Sequence, residues 1–167
     1  MRETARNGNA DVQKREDEMT GGEMWLAFCR ENGLSPDTRH DEWKFCGGGE
    51  AGDRLARLVL DGIKTATASA LLAYENDGEP VPPDGCYSVV LFDDDTAACV
   101  IRDTKVSIVP FDEVSAEHAY KEGEDDRSLG MWREVHREFF APDYAAAGKE
   151  FDEHGDCVLE EFEVVFR

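Results

Sequence analysis

Cys86-Tyr87-Ser88-Val89-Val90-Leu91-Phe92, Asp93-Asp94-Asp95, Thr96-Ala97-Ala98-Cys99-Val100-Ile101 is the stretch from which the architecture can be built. Two apolar, β-rich runs flank a short acidic linker, which is the pattern of a hairpin. A third run, residues 105–110, continues it as a meander. Helical periodicity stands on both sides. Upstream, Met24, Trp25, Phe28 and Cys29 recur at helical spacing over residues 23–32 and Gly33 supplies a C-cap; Leu55, Leu58 and Val59 share a face over residues 50–60 until Asp61-Gly62 stops it. Downstream, a helix is expected after Phe111 with Asp112 as N-cap and a stop at Glu122-Gly123. A longer one follows, capped by Asp126 or Ser128, because Leu129, Trp132, His136, Phe139 and Phe140 lie on one stripe. Residues 144–151 add a helical turn or two, and residues 157–166 close as a strand with Phe162, Val164 and Phe166 on one face. Helices early and late therefore bracket a mostly antiparallel sheet, an α+β fold with a small curved sheet or barrel. The stretches around Ser35-Pro36-Asp37, Trp43-Lys44-Phe45 and Gly47 to Gly49, and from Asn76 to Gly85, read as loops and turns.

The chain has 167 residues, of which 41% are hydrophobic, enough for one core at this length. Residues 1–20 are charged and nearly devoid of large apolar groups, so they are expected to be a flexible extension, with a single domain over 21–167. No apolar run has the length of a membrane span and the first residues lack the apolar stretch of a signal peptide, so the expectation is a soluble cytoplasmic protein with no membrane partner. The net charge of −20 argues against duplex DNA, which recruits proteins through broad basic surfaces. Five cysteines, odd in number and widely spread, are expected to be reduced and mostly buried. There is no Cys-x-x-Cys or His-x-x-x-His pair, and His154-x-x-Cys157 alone comes close, so neither a metal nor a cofactor is expected. Gly47 to Gly49 lack the Gly-Lys-Ser/Thr of a phosphate loop, and no Gly-x-Ser-x-Gly element is present.

Gly62-Ile63-Lys64-Thr65-Ala66-Thr67-Ala68-Ser69 carries the chemistry. It places one cation and three hydroxyls in a segment too polar for a core and too regular for a random loop. A lysine in an enclosed cleft loses pKa by desolvation and becomes a base, or holds an anion; the plainer alternative is a solvated lysine at a helix C-terminus. Thr67 becomes a nucleophile only beside a base, and otherwise is a β-branched residue suited to a strand. Positions three apart face opposite sides of a regular strand, so Lys64 and Thr67 cooperate only if a turn leads into it.

These residues form part of an ordered set: Trp43-x-Phe45, the helix running into Gly62-x-Lys64-x-x-Thr67-x-Ser69, Tyr87-Ser88-Val89-Val90, Pro110-Phe111-x-x-Val114, and Glu122-Gly123-Glu124-x-x-x-Ser128-Leu129-x-x-Trp132-Arg133-x-x-His136-x-x-Phe139-Phe140. The set, over about residues 42–166, resembles the ASCH domain family. The resemblance implies a PUA-like small mixed or antiparallel β-barrel flanked by helices. It implies RNA or a nucleotide- or nucleoside-derived small molecule as ligand, and either hydrolysis, as in members described as ribonucleases or as amidohydrolases of acylated cytidine nucleosides, or binding without turnover. It makes Lys64, Thr67 and Glu122 a catalytic set, with Glu122 orienting the lysine or shuttling a proton; by composition alone Glu122 is one surface acid among 38. Ser69 stands where the family often has Arg, which removes a cation. Arg133 is a candidate phosphate fork and Trp132 a base-stacking platform, against the plainer reading of an ion-pair partner and a core aromatic. His118 reads as structural. Lys64, Arg133 and Lys105 are expected around the cleft mouth, with Ser69, Lys105, Trp132 and Arg133 contacting ligand and Lys64 outside the packed core.

Overall fold

The computed structural model describes residues 18–167. All but the last three residues of the expected N-terminal extension lie outside that range. Those three are tied to the domain: the Met19 carbonyl accepts a hydrogen bond from Ala97 N–H at 2.8 Å, and Thr20 caps the first helix, α1 (Gly21–Asn32). The Thr20 hydroxyl accepts from Glu23 N–H while the Glu23 carboxylate accepts from Thr20 N–H, a reciprocal capping box. Gly33, at φ 65°, closes the other end. The α1 stripe Met24, Trp25, Phe28 and Cys29 packs on Val89 and Val100 of the sheet.

The sheet has five strands in the order β1 (His40–Trp43), β3 (Tyr87–Leu91), β4 (Ala97–Pro110), β5 (Asp156–Phe166), β2 (Ala66–Ala70). β1 runs parallel to β3 and every other pair is antiparallel. The hairpin read from residues 86–101 is β3–β4. The third run is not a separate strand: residues 105–110 continue β4, which is 14 residues long and passes a register shift against β5 between Asp103 and Lys105. β1 and β2 are the two edges and do not pair with each other, so the sheet is mixed and open, an α+β PUA-like arrangement without closure of a barrel by hydrogen bonds.

Alternation along the strands sends neighbours to opposite faces. Val89 and Val100 meet α1, whereas Val90, Cys99 and Ile101 meet Leu55, Ala56 and Val59 of α2 (Gly49–Leu60), together with Phe45 and Phe162. A third cluster joins β2 and β5 to α5 (Leu129–Ala146) through Phe111, Trp132, Phe140 and Tyr144. Burying side chains of this size stabilises by roughly 1.5–3 kcal/mol each. Ser128 caps α5, as one of the two expected residues, and the helix absorbs Pro142 and Tyr144. The shorter helix before it, α4 (Ala116–Glu122), is capped by Ser115 rather than Asp112, because Phe111–Glu113 forms a 3-10 turn instead. β1 stands where a loop was expected, and α3 (Leu71–Asp77) lies over residues 71–75, which carried no assignment, and runs into the start of the expected turn region. The five thiols are free; Cys29, Cys99 and Cys157 are buried, Cys86 is half-buried and Cys46 exposed. Among the described residues no helix is long and apolar enough to cross a membrane.

Candidate functional site

Lys64 lies in the link between α2 and β2, before the strand begins. The Leu58 carbonyl, left over at the end of α2, accepts from both Ile63 N–H (2.9 Å) and Lys64 N–H (3.0 Å), and Thr65 N–H then donates to the Lys121 carbonyl (2.8 Å). That turn frees Lys64 from strand alternation and points it at the C-terminus of α4. The two segments touch at Gly123: with φ 73° it takes a conformation suited to glycine, and a Cβ there would stand 2.6 Å from the Ile63 carbonyl oxygen.

The Lys64 ammonium donates to Glu124 Oε1 at 2.7 Å, Glu122 Oε2 at 3.2 Å and the Glu122 carbonyl at 3.4 Å, and lies 5.3 Å from the centre of the Phe45 ring. Lys64 and Glu122 are each 1% exposed, so the lysine belongs to the packed interior rather than to an open cleft. Burial pulls its pKa down, but the two carboxylates outweigh this and the net direction is upward. Its three N–H groups are engaged and it stays protonated, which removes it as a general base. Glu122 is satisfied from all sides. Oε1 accepts from Trp132 Nε1–H at 2.7 Å and faces His118 Nε2 at 3.1 Å, while Oε2 faces Lys64 and, at 3.5 Å, His136 Nε2. Burial raises its pKa, yet Lys64, His118 and His136 together hold it well below the usual carboxylate range. An acid held ionised in this way positions its neighbours; it is poorly suited to carry protons.

This cluster forms one wall of a cavity of about 940 Å³. Every strand contributes to it: Asp41 and Trp43 from β1, Thr67 and Ser69 from β2, Ser88 from β3, Asp103 from β4 and Glu160 from β5, so the cavity occupies the gap between the unpaired edges. Thr67 and Ser69, two apart on β2, share the inward face, and Thr67 sits directly across from Glu160. Tyr74 of α3 donates its hydroxyl to Glu160 Oε1 at 2.9 Å. Glu122 and Glu124 line the cavity, with Lys64 directly behind them.

The other expected ligand contacts are elsewhere. Trp132 is a core residue, stacked on His136 at 4.1 Å, with its N–H used by Glu122. Arg133 donates to the Asp112 carbonyl at 2.8 Å, and Lys105 is exposed, 4.0 Å from Glu161; neither lines the cavity. The basic residues of the lining are Arg39 and Lys44, against eight acidic ones, and Lys44 is tied to Asp95 at 2.8 Å. Gly47, Gly49 and Gly52 carry Gly-x-Gly-x-x-Gly spacing, but the start of α2 is already filled by a carboxylate of the chain, since Gly49 N–H donates to Asp93 Oδ1 at 2.7 Å. Among the described residues no three or more His, Cys, Asp or Glu side chains converge as a metal site would require. Glu124, Tyr74, Asp103 and Glu160 are site residues that sequence reasoning missed. Only Glu124 had a signal, its place two residues after Glu122 across a glycine.

Comparison with known proteins agrees with the fold. The family model described as the ASCH domain matches residues 41–166. The crystal structure of an ASCH domain from Lactobacillus crispatus JV V101 is 34% identical, covers 87% of this chain and 96% of its own, and superposes with a TM-score of 0.77. A protein of Enterococcus faecalis V583 is 35% identical over 86% of each chain, with a TM-score of 0.76. No curated protein matches. With most of the domain covered by the family model and two solved structures this alike, the chain belongs to the ASCH domain family.

Proposed function

We propose that the cavity binds a small nucleoside-type molecule and that the protein hydrolyses an acyl amide on it. The observation that supports this is the convergence on one cavity of the Thr67 hydroxyl and two carboxylates fixed by a buried ammonium. At about 940 Å³ the cavity lies in the range of small-molecule sites, roughly 300–1,000 Å³. Its acidic lining repels phosphates, which weighs against an RNA strand as ligand.

In this reading Glu124 is the general base. It is the carboxylate of the pair with part of its surface open, 20% exposed, and Lys64 fixes one of its oxygens. Glu124 takes a proton from a water held by the Thr67 hydroxyl, and the water oxygen adds to the amide carbonyl carbon. Lys64 lies behind the two carboxylates with its three N–H groups engaged, so its part is to hold Glu124 in place rather than to reach the oxyanion. When the C–N bond breaks, Glu124 returns the proton to the departing nitrogen, leaving a carboxylic acid and a free amine. Glu122 takes no proton; it anchors Lys64, and Trp132, His118 and His136 anchor Glu122 in turn.

The test is a turnover screen of N-acylated cytidine and adenosine compounds and short RNAs, with Thr67→Val and Glu124→Gln as variants. The expected result is release of free amine from an acylated nucleoside, reduced about 100-fold or more in both variants when each is assayed at a temperature where it is folded. Binding of those compounds without turnover makes the protein a ligand-binding module, and cleavage of RNA alone overturns the nucleoside reading.

A further inference from the structure

Asp103 lies on the cavity wall, but its carboxylate takes no part in the Lys64 cluster. The side chain is only 4% exposed, it lines the cavity, and among the described residues no hydrogen bond or ion pair reaches its carboxylate. Its backbone is fixed on both sides, N–H to the Cys86 carbonyl (2.9 Å) and C=O from Gly85 N–H (2.8 Å), so the chain holds a largely buried acid in place with its carboxylate open to the cavity. Ser88, 7% exposed, lines the same cavity, and its hydroxyl likewise has no partner among the described residues. Glu160 is 8% exposed and has one hydrogen bond, from Tyr74. A carboxylate drawn this far from bulk water with no protein donor is costly, and at a cavity wall it leaves acceptors to be met by something that enters.

We propose that Asp103, Glu160 and Ser88 form a recognition subsite for a nitrogen cation of the amidinium or ammonium type, one that donates at least two N–H bonds. The inference rests on the reading of this cavity as a ligand site. It concerns a subsite of that cavity apart from the Lys64 cluster and does not require turnover. Charge is what favours a cation over a neutral diol. Asp103 is faced by Glu160 from β5, Asp41 from β1 and Asp84 from the turn before β3, with the Tyr74 hydroxyl and the Cys86 thiol nearby; Arg39, which also lines the cavity, acts on the Cys86 thiol, whereas the charged groups acting on Asp103 are those three acids. Burial first, and then those three acids, push the Asp103 carboxyl up to about 7. A neutral hydroxyl would satisfy one acceptor and leave the repulsion in place, whereas a planar cation meets two carboxylates at once and removes it. Among the described residues no three such side chains group as a metal site requires, so the cation argued for is an organic one.

The test is benzamidine binding to the full chain by calorimetry or ligand-observed NMR, with neutral benzamide as the matched control. Benzamidine is expected to bind wild type in preference to benzamide, and about 10-fold more tightly at pH 8 than at pH 6 as Asp103 ionises. Asp103→Asn is expected to lose at least 10-fold in benzamidine affinity at pH 8 and most of the pH dependence. No benzamidine binding at pH 8, equal binding of benzamide, or affinity indifferent to both pH and Asp103→Asn would overturn the inference. The wild-type pH series stands without the variant, so a folding defect in Asp103→Asn does not remove the test. Failure of the hydrolytic reading looks different: no acylated nucleoside is turned over while Asp103-dependent benzamidine binding persists.

Discussion

The Lys64 ammonium stands 3.2 Å from the Glu122 carboxylate across 58 residues of sequence, and each side chain is 1% exposed. Two charges so deeply buried are tolerated only because the remaining acceptors and donors are used as well, by Glu124, Trp132 and His118. The pair belongs to the core as much as to the site, so its two roles have to be separated by experiment.

Lys64→Ala should therefore destabilise the protein strongly, by about 3–5 kcal/mol, because it leaves Glu122 as an uncompensated buried charge. Pairing it with Glu122→Gln should recover a substantial part of the loss. Urea unfolding of the single and double variants measures both; a Lys64→Ala protein as stable as wild type would mean that Glu122 is not ionised.

The pH dependence of stability follows from the same pair. The folded pKa of Glu122 lies below its ordinary value of 4.5, so its stabilisation is present above that value and is lost as pH falls through the folded pKa. The folded pKa of Lys64 lies above 10.5, so its share is present below that value and is lost as pH rises through the folded one. Thermal unfolding should show the contribution of the pair level between about pH 5 and 10. Trp132→Phe, which removes the N–H donated to Glu122, should lower stability within that window by about 1.5–3 kcal/mol.

Asp103→Asn should have the opposite sign. Because its folded pKa is raised from 3.8 to about 7, ionisation of Asp103 opposes folding increasingly as pH rises across that interval and fully above it. The variant should match wild type near pH 4 and melt higher at pH 8, by at least about 1 kcal/mol or roughly 2–4 °C. A lower melting temperature at pH 8 would show that Asp103 has a stabilising partner in the folded protein.

Gly123→Ala tests the contact between α4 and the Lys64 link. The new Cβ would meet the Ile63 carbonyl oxygen at 2.6 Å in a backbone conformation that side chains disfavour, so a loss of at least about 2 kcal/mol is expected. Turnover, if measured at a temperature where the variant is folded, should fall as well, since Glu122 and Glu124 flank the glycine.

Periodicity made α1, α2 and α5 legible, since each buries a clear stripe. β1 and α3 were not, for lack of that signal: the four residues of β1 are half-buried or exposed, and α3 has no buried residue and no side-chain cap. β4 looked like two strands because Asp103-Thr104-Lys105 is a polar break, and the register shift falls at the same place. Lys64, Thr67 and Glu122 could be singled out by motif. What separates Asp103 and Glu160 from acids other than Glu122 is burial alone, and strand register, not composition, determines which acid turns inward.

The pairing of β2 has a consequence for the order in which the molecule can be assembled. Among the described residues β2 hydrogen-bonds within the sheet to β5 alone, so Thr67 and Ser69 are made early in synthesis yet join that strand only once residues 156–166 have been made. Glu160, on that same late strand, brings the acceptor for Tyr74. A nascent chain stopped before Asp156 can have formed α1 and the β3–β4 hairpin, whose contacts are local, but it holds no binding cavity. The site should therefore mature in the last cooperative step of folding, and a ligand that occupies it would select completed molecules over truncated ones.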